Sequence, residues 1–329
     1  MEHITIDRRS LLRFAGAGCA LAASPFAFAA DAYPSRPIRI VVPYAPGGGT
    51  DVVGRALAQA MSKELGQPII IDNKAGGGTV IGSDLVSKSA ADGYTLLMTT
   101  SAIAINASLV KNLPYDTEKG FAEVALICHG PNVLVVRADS PFKTLQDIIK
   151  AAKEKPGKLN YASSGNGSAV HLAAELLKNM AKIDLTHVPY RGAGPAYTDL
   201  LGGQVDMLFG TAGGVNKFVE TGKMRAIAVT SKERSGAYKN VPAVAETVPG
   251  YEAITWFGLF TTNGTPAPVI GKINAEVQKV FADPAFRERY ITPNLFETMT
   301  SSPEQFAEFI RTDSLKWAKV IRDANIRVD

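Results

Sequence analysis

Three stretches of this sequence place glycines beside hydroxyl or amide side chains at the point where a strand-like run gives way to a helix-like one. They are Pro46-Gly47-Gly48-Gly49-Thr50-Asp51, Ala75-Gly76-Gly77-Gly78-Thr79 and Tyr161-Ala162-Ser163-Ser164-Gly165-Asn166-Gly167-Ser168. Glycine admits positive φ and lets backbone approach a ligand closely, and a helix start offers unpaired N–H groups at the positive end of its dipole. Together these features suit an anion held at the carboxyl edge of a sheet. The first two loops also fit plain tight turns between strand and helix, so both readings stay open for them. In the third, the donors on Ser163, Ser164, Asn166, Gly167 and Ser168 suit a carboxylate without needing a cation, and Ser168 doubles as the N-cap of the helix that follows.

Other chemistries fail on spacing. A phosphate-binding loop needs Gly-Lys-Ser/Thr after its glycines, and neither Gly-rich loop has it. The dinucleotide pattern Gly-x-Gly-x-x-Gly breaks at Val52, so no cofactor is expected. Ser164 does not sit in Gly-x-Ser-x-Gly, and no base stands at a convincing spacing from it or from Asp206. A periplasmic hydrolase or isomerase using Ser164 or Asp206 is therefore the alternative function, and Asp206 reads equally well as a ligand acceptor or a local cap. His171 and Glu175, four apart, share a helical face, but no third ligand lies at a metal-binding spacing, so a hydrogen bond is expected and no metal. His129 and His187 lie in or beside apolar strands and read as core residues, while Tyr44 and Trp256 fit either cleft or core. The 35 basic and 31 acidic residues are interspersed without a like-charge block, which excludes a nucleic-acid surface.

The elements that must position these loops follow an α/β grammar. At 329 residues, 46% hydrophobic and 20% charged, the chain suits a soluble protein of two domains. Strands are predicted at 38–43, 68–72 and 94–99, separated by a helix from Thr50 or Asp51 to Gly66 and another that buries Val80, Ile81, Leu85 and Val86. A second set has strands at 159–163, 185–189, 205–209 and 224–229, alternating with helices near 144–155, 168–181, 195–202 and 213–221. Capping boxes start at Thr144 and Ser302, and the C-terminal part is helical at 267–281 and 303–324. Long apolar runs at 124–136 and 254–262 bracket the second set and read as strands crossing between domains. The first domain is then discontinuous, 31–131 plus 255–329, the second is 132–254, and a ligand cleft lies between them.

Residues 1–30 read as a cleavable export leader. Arg8-Arg9 precede a mildly apolar, Ala/Gly-rich run that contains Pro25 and ends in Ala27-Phe28-Ala29, which is the twin-arginine pattern and implies the periplasm. Cys19 raises lipidation as an alternative, but no Leu or Val stands three residues before it and the apolar run continues past it. After cleavage Cys128 would remain alone, with no internal disulfide available.

On these residues the chain resembles the Bug-type receptors of tripartite tricarboxylate transporters. The resemblance covers essentially the whole mature sequence, through Tyr33-Pro34-Ser35-Arg36-Pro37-Ile38, the first Gly-rich loop, Asp72-Asn73-Lys74 with the second, and Asp92-Gly93-Tyr94-Thr95-Leu96. It continues through His171-Leu172-Ala173-Ala174-Glu175, Pro189-Tyr190-Arg191-Gly192 and Trp256-Phe257-Gly258-Leu259. It implies a two-domain type II periplasmic binding protein, a Venus flytrap that closes on one carboxylic acid held by backbone groups and ordered waters instead of an arginine clamp. By the same resemblance Tyr44, Gly48, Gly49, Thr50, Asp51, Ser101 and the loop from Ser163 to Ser168 face the ligand, with Asp206 opposite. Where the family commonly has Pro-Pro-Gly this chain has Ala45-Pro46-Gly47, which bears on the placement of Tyr44. Members take amino acids, di- and tricarboxylates, aromatic acids and nicotinate-like compounds. The implied role is a monomeric receptor, not an enzyme, that serves a membrane carrier of the tripartite tricarboxylate type or a sensor protein.

Overall fold

Strand pairing sorts the chain into two sheets that share one long strand. A computed structural model gives the fold of residues 33–328, and the chain from Arg36 onward forms one compact unit. The expected leader, with Arg8-Arg9, Cys19 and Ala27-Phe28-Ala29, lies outside the described residues.

The first sheet opens with three parallel strands, β1 (Ile38–Val42), β2 (Ile69–Asn73) and β3 (Thr95–Thr100), in the order β2-β1-β3. Ile38, Ile40, Val41 and Val42 are fully buried, the continuous apolar run expected of a parallel strand covered on both faces. The connections are α1 (Gly49–Leu65), a 3-10 turn at Gly77–Thr79 running into α2 (Val80–Ser87), and α3 (Ala102–Leu109). Gly66 stops α1 by adopting the left-handed conformation, φ 66°.

The shared strand is β4 (Phe121–Arg137). Beyond it come α4 (Leu145–Glu154), β5 (Asn160–Ser163), α5 (Ala169–Ala181), β6 (Thr186–Pro189), α6 (Ala193–Leu201), β7 (Met207–Thr211), α7 (Ala212–Glu220) and β8 (Met224–Val229). The chain returns through β9 (Ile254–Thr262), α8 (Ala267–Ala282), β10 (Glu297–Thr298) and α9 (Pro303–Asp323). The first half of β4 pairs with β9 as far as Pro131 opposite Ile254, and the second half pairs with β7 and β8 from Asn132 and Val133 onward. β7, β5 and β6, parallel to one another, complete the second sheet, to which β4 is joined antiparallel. The run at 254–262 thus lies wholly in the first sheet, and the second passage between sheets falls at Ala253.

Asn132 ties the two passages together. Fully buried, its N–H donates to Thr230 Oγ1 at 2.8 Å and its Nδ2 donates to the Ala253 carbonyl at 3.1 Å, while its Oδ1 accepts from Thr255 Oγ1 at 2.8 Å. A buried side-chain amide satisfied on both ends fixes both backbones where the sheets part.

Each lobe has its own core, but two helices serve both. Ile103 and Ala104 of α3 and Phe306 of α9 join Val41, Leu97, Trp256 and Phe260 in the first lobe. Ile105 and Leu109 of α3, with Trp317 and Ile321 of α9, join Leu134, Leu172 and Phe209 in the second. The segment 255–329 is therefore not confined to the first lobe, as its assignment from sequence had it. Cys128 is buried and free, with burial pushing its thiol pKa up, so it stays protonated. Among the described residues no helix is long and apolar enough to cross a membrane.

Candidate functional site

Four helices begin at one small cavity between the lobes, of about 40 Å³. α1 brings Gly48, Gly49 and Thr50, and the loop into α5 brings Ser163 and Ser164. α6 contributes Ala193, Ala196 and Tyr197, and Gly210 and Thr211 enter where β7 becomes α7. Tyr44 closes one side, its hydroxyl 2.8 Å from Thr100 Oγ1, and burial pushes its pKa to about 12, so it remains a neutral phenol.

None of the lining residues is charged. The N-caps of α1, α6 and α7 are Gly48, Gly192 and Thr211, none of which caps its helix through a side chain. Their first-turn N–H groups are left for another acceptor, and the dipoles favour negative charge. The Tyr197 hydroxyl and Thr211 Oγ1 are likewise buried without a hydrogen-bond partner. An arrangement rich in donors and free of cations accepts a carboxylate and offers little to a cation.

The lobes meet through backbone. The Ala45 N–H donates to the Arg191 carbonyl at 3.1 Å. A Cβ on Gly49 would lie 2.7 Å from Thr211 Oγ1, and one on Gly78 would lie 1.9 Å from the Asn166 carbonyl oxygen. Ser164 also lines an outer chamber of about 580 Å³, together with the second Gly-rich loop, Asn166, Lys111 and Arg191.

The remaining residues named from sequence take other places. Asp51 does not line the cavity and braces the first loop, its carboxylate accepting from the Gly47 N–H at 3.1 Å, Arg55 Nε at 3.0 Å and Asn73 Nδ2 at 2.9 Å. Burial alone would raise its pKa, but the bonds from Arg55, Asn73 and Gly47 outweigh it and the carboxyl titrates below its usual range. Ser101 is fully buried at the start of α3, its hydroxyl unpartnered, and does not line the cavity. Gly167, at φ 74°, packs against Asn106 Oδ1, and Ser168 caps α5 while its Oγ donates to the Gly165 carbonyl at 2.7 Å.

Asp206 is at the wrong end of the sheet. It accepts from the Asn160 N–H at 2.8 Å, and its own N–H donates to Asn160 Oδ1 at 2.9 Å, so it joins the amino ends of β5 and β7 while the cavity lies at their carboxyl ends. Tyr197, Thr211 and Thr255 were missed. The signal for Thr211 was present in Gly210-Thr211-Ala212-Gly213-Gly214, a fourth small-residue loop between strand and helix.

Ser163 is the hydroxyl with a histidine beside it. Its Oγ lies 2.7 Å from His187 Nε2, and the His187 ring is stacked between Tyr161, centroids 4.8 Å apart, and His171, 4.1 Å apart. Burial and the neighbouring His171 push the His187 pKa down to about 3, and no carboxylate bonds its other nitrogen, so the pair lacks the poised base and orienting acid of a hydrolase. Glu175, four residues from His171, accepts from Tyr161 OH at 2.6 Å and pairs with Lys178 at 2.8 Å. Among the described residues no group of three or more His, Cys, Asp or Glu could hold a metal.

Residues 53–326 match the tripartite tricarboxylate transporter family receptor. A Pseudomonas sp. (strain P51) protein, the UPF0065 protein in the tcbD-tcbE intergenic region, is 40% identical over 321 residues, covering 96% of this chain and 94% of its own. The solved structure of the periplasmic binding protein BugD is similar at TM-score 0.86 and 32% identity, over 90% of this chain and 99% of that one. R. palustris Rpa4515, solved with adipate, is similar at TM-score 0.87 and 32% identity, over 90% and 99%.

Proposed function

This chain belongs to the tripartite tricarboxylate transporter receptor family, and we propose that it captures a small carboxylate between its lobes and presents it to a membrane carrier or a sensor. The observation that carries this is the convergence of four helix starts, three without side-chain caps, on a cavity lined by no charged residue. Hydrogen bonds to a charged acceptor contribute about 1.5–3 kcal/mol each, so several helix-end and hydroxyl donors together replace an arginine. The contacting residues are Tyr44, Gly48, Gly49, Thr50, Ser163 and Ser164, joined by Tyr197 and Thr211. The adipate bound to Rpa4515 supports a carboxylate as the class, without naming the acid.

The finer parts of the reading are proposals too. The lobes hinge where β4 passes Pro131 and where the chain re-enters at Ile254, giving 31–131 with most of 255–329 as one body and 132–254 as the other. The protein is exported by its twin-arginine leader, cleaved near Ala30, and works as a monomer without catalytic turnover.

A thermal-shift screen of organic acids tests the central claim, because a ligand at 100 times its Kd stabilises the native state by about 2.7 kcal/mol. At least one mono-, di- or tricarboxylic acid should raise the melting temperature, with its amide or ester analogue silent. Equal response to the uncharged analogue, or response to cationic ligands alone, would overturn the carboxylate reading.

A further inference from the structure

We propose that His187 is a positioning residue for ligand recognition, its Nε2–H held on the Ser163 oxygen so that the Ser163 hydroxyl proton is left to donate into the cavity. The inference deepens the carboxylate reading and rests on it for the identity of the group received.

The argument is an account of one hydroxyl. Ser163 is 1% exposed and lines the cavity. A serine oxygen has two lone pairs and one proton. One lone pair takes the Gly165 N–H at 3.1 Å. The Gly165 carbonyl, 3.3 Å from Ser163 Oγ, already accepts from Ser168 Oγ at 2.7 Å and from the Ser168 N–H at 3.1 Å, which fills its own two lone pairs. The Ser163 proton therefore has two destinations, His187 Nε2 or the cavity. If Nε2 were the acceptor, Ser163 would turn a lone pair toward a carboxylate that only accepts. If Nε2 carries the proton, both lone pairs of Ser163 are used and the hydroxyl must point at the ligand.

The surroundings hold His187 for this task. Its ring lies within 16° of parallel to Tyr161 and 15° to His171, which removes the freedom to swing Nε2 off Ser163. His171 is fixed in turn, because its Nδ1 accepts from the Gly167 N–H at 3.2 Å and so carries its proton on Nε2. Tyr161 is anchored to Glu175, itself paired with Lys178. His187 is thus the satisfied core histidine expected from the sequence, with its polar end on the one cavity hydroxyl beside it.

Long-range 1H–15N correlation spectra of the ligand-free protein labelled with 15N-histidine read the tautomer directly, with His187 assigned by the signal lost in His187→Gln. The expected pattern is a protonated Nε2 and an unprotonated Nδ1 at pH 7; a proton on Nδ1, or an imidazolium, overturns the proposal whether or not any acid binds. Calorimetric titration with the tightest binder among succinate, adipate, glutamate, benzoate and nicotinate then separates positioning from packing. His187→Phe, which stacks but cannot donate, should weaken binding about tenfold or more, and His187→Gln, which keeps an N–H donor, should recover most of that loss. Equal losses in both variants, with folding intact, would reduce His187 to packing. If none of these acids binds the wild type, the carboxylate reading fails for them while the spectra still decide the tautomer.

Discussion

His171 and His187 are held neutral by burial, with pKa values pushed down from 6.5 to about 4 and about 3. The groups facing them are Tyr161, Glu175 and Lys178, and the last of these depresses both further. In the unfolded chain both imidazoles regain ordinary values, so between pH 6.5 and 4 the unfolded state binds more protons and stability must fall as pH is lowered. Thermal unfolding followed from pH 7 to pH 4 should show the melting temperature dropping across that window, less steeply in His187→Gln; a wild type with no slope there would mean the rings are already charged when folded. Chemistry at this scale was legible where a side chain's neighbours are close in sequence. Ser163, Ser164 and the cap at Ser168 follow from one loop. Asp206 was placed in the cleft because its partner Asn160 comes from another strand, and Asp51 because its bracing by Asn73 depends on the pairing of β1 with β2; His187 was read as a core residue, but its bond to Ser163 on another strand was not legible.

Among elements, the alternation of strands and helices was readable because parallel strands buried on both faces stand out as β-branched apolar runs. Small boundary errors still mattered. Placing β7 at 205–209 instead of Met207–Thr211 put Asp206 inside the strand and left Thr211 outside the site. The glycines that lead into helices have a meaning that single loops do not reveal, since they are where one lobe touches the other. Gly78 combines φ 61° with a Cβ position 1.9 Å from the Asn166 carbonyl oxygen. Backbone cannot yield as a flexible side chain would, so Gly78→Ala should strain its own turn and hold the lobes apart. We expect ligand binding to weaken by at least about tenfold. Small-angle scattering should show that saturating ligand compacts the wild type more than the variant. Wild-type affinity and compaction in Gly78→Ala would show that this contact is not needed for closure.

For the whole molecule, the question is whether two lobes make two folding units. Sheet topology alone suggests so, and the sequence supports that picture by bracketing the second lobe between two long apolar runs. The cores argue otherwise. α3 and α9 each place residues in both, and Trp256 of the first lobe donates its Nε1–H at 2.8 Å to Asp313, midway along the helix that carries Trp317 into the second. The amphipathic pattern of 303–324 announced a helix but not its two destinations, because periodicity records which residues are buried and not against what. Trp317 is 1% exposed and far in sequence from every cavity residue, so its truncation is a clean probe of the coupling. Trp317→Ala should cost about 3–5 kcal/mol, as for other buried large-to-small changes. If the cores are coupled, that loss lowers the stability of both lobes together. Calorimetry of the ligand-free wild type and variant should then show one transition each, shifted down in the variant, with calorimetric and van't Hoff enthalpies in agreement. A variant that instead resolves into two transitions, one at the wild-type temperature, would mean that the first lobe stands without the second and that α9 is a strap across two independent bodies.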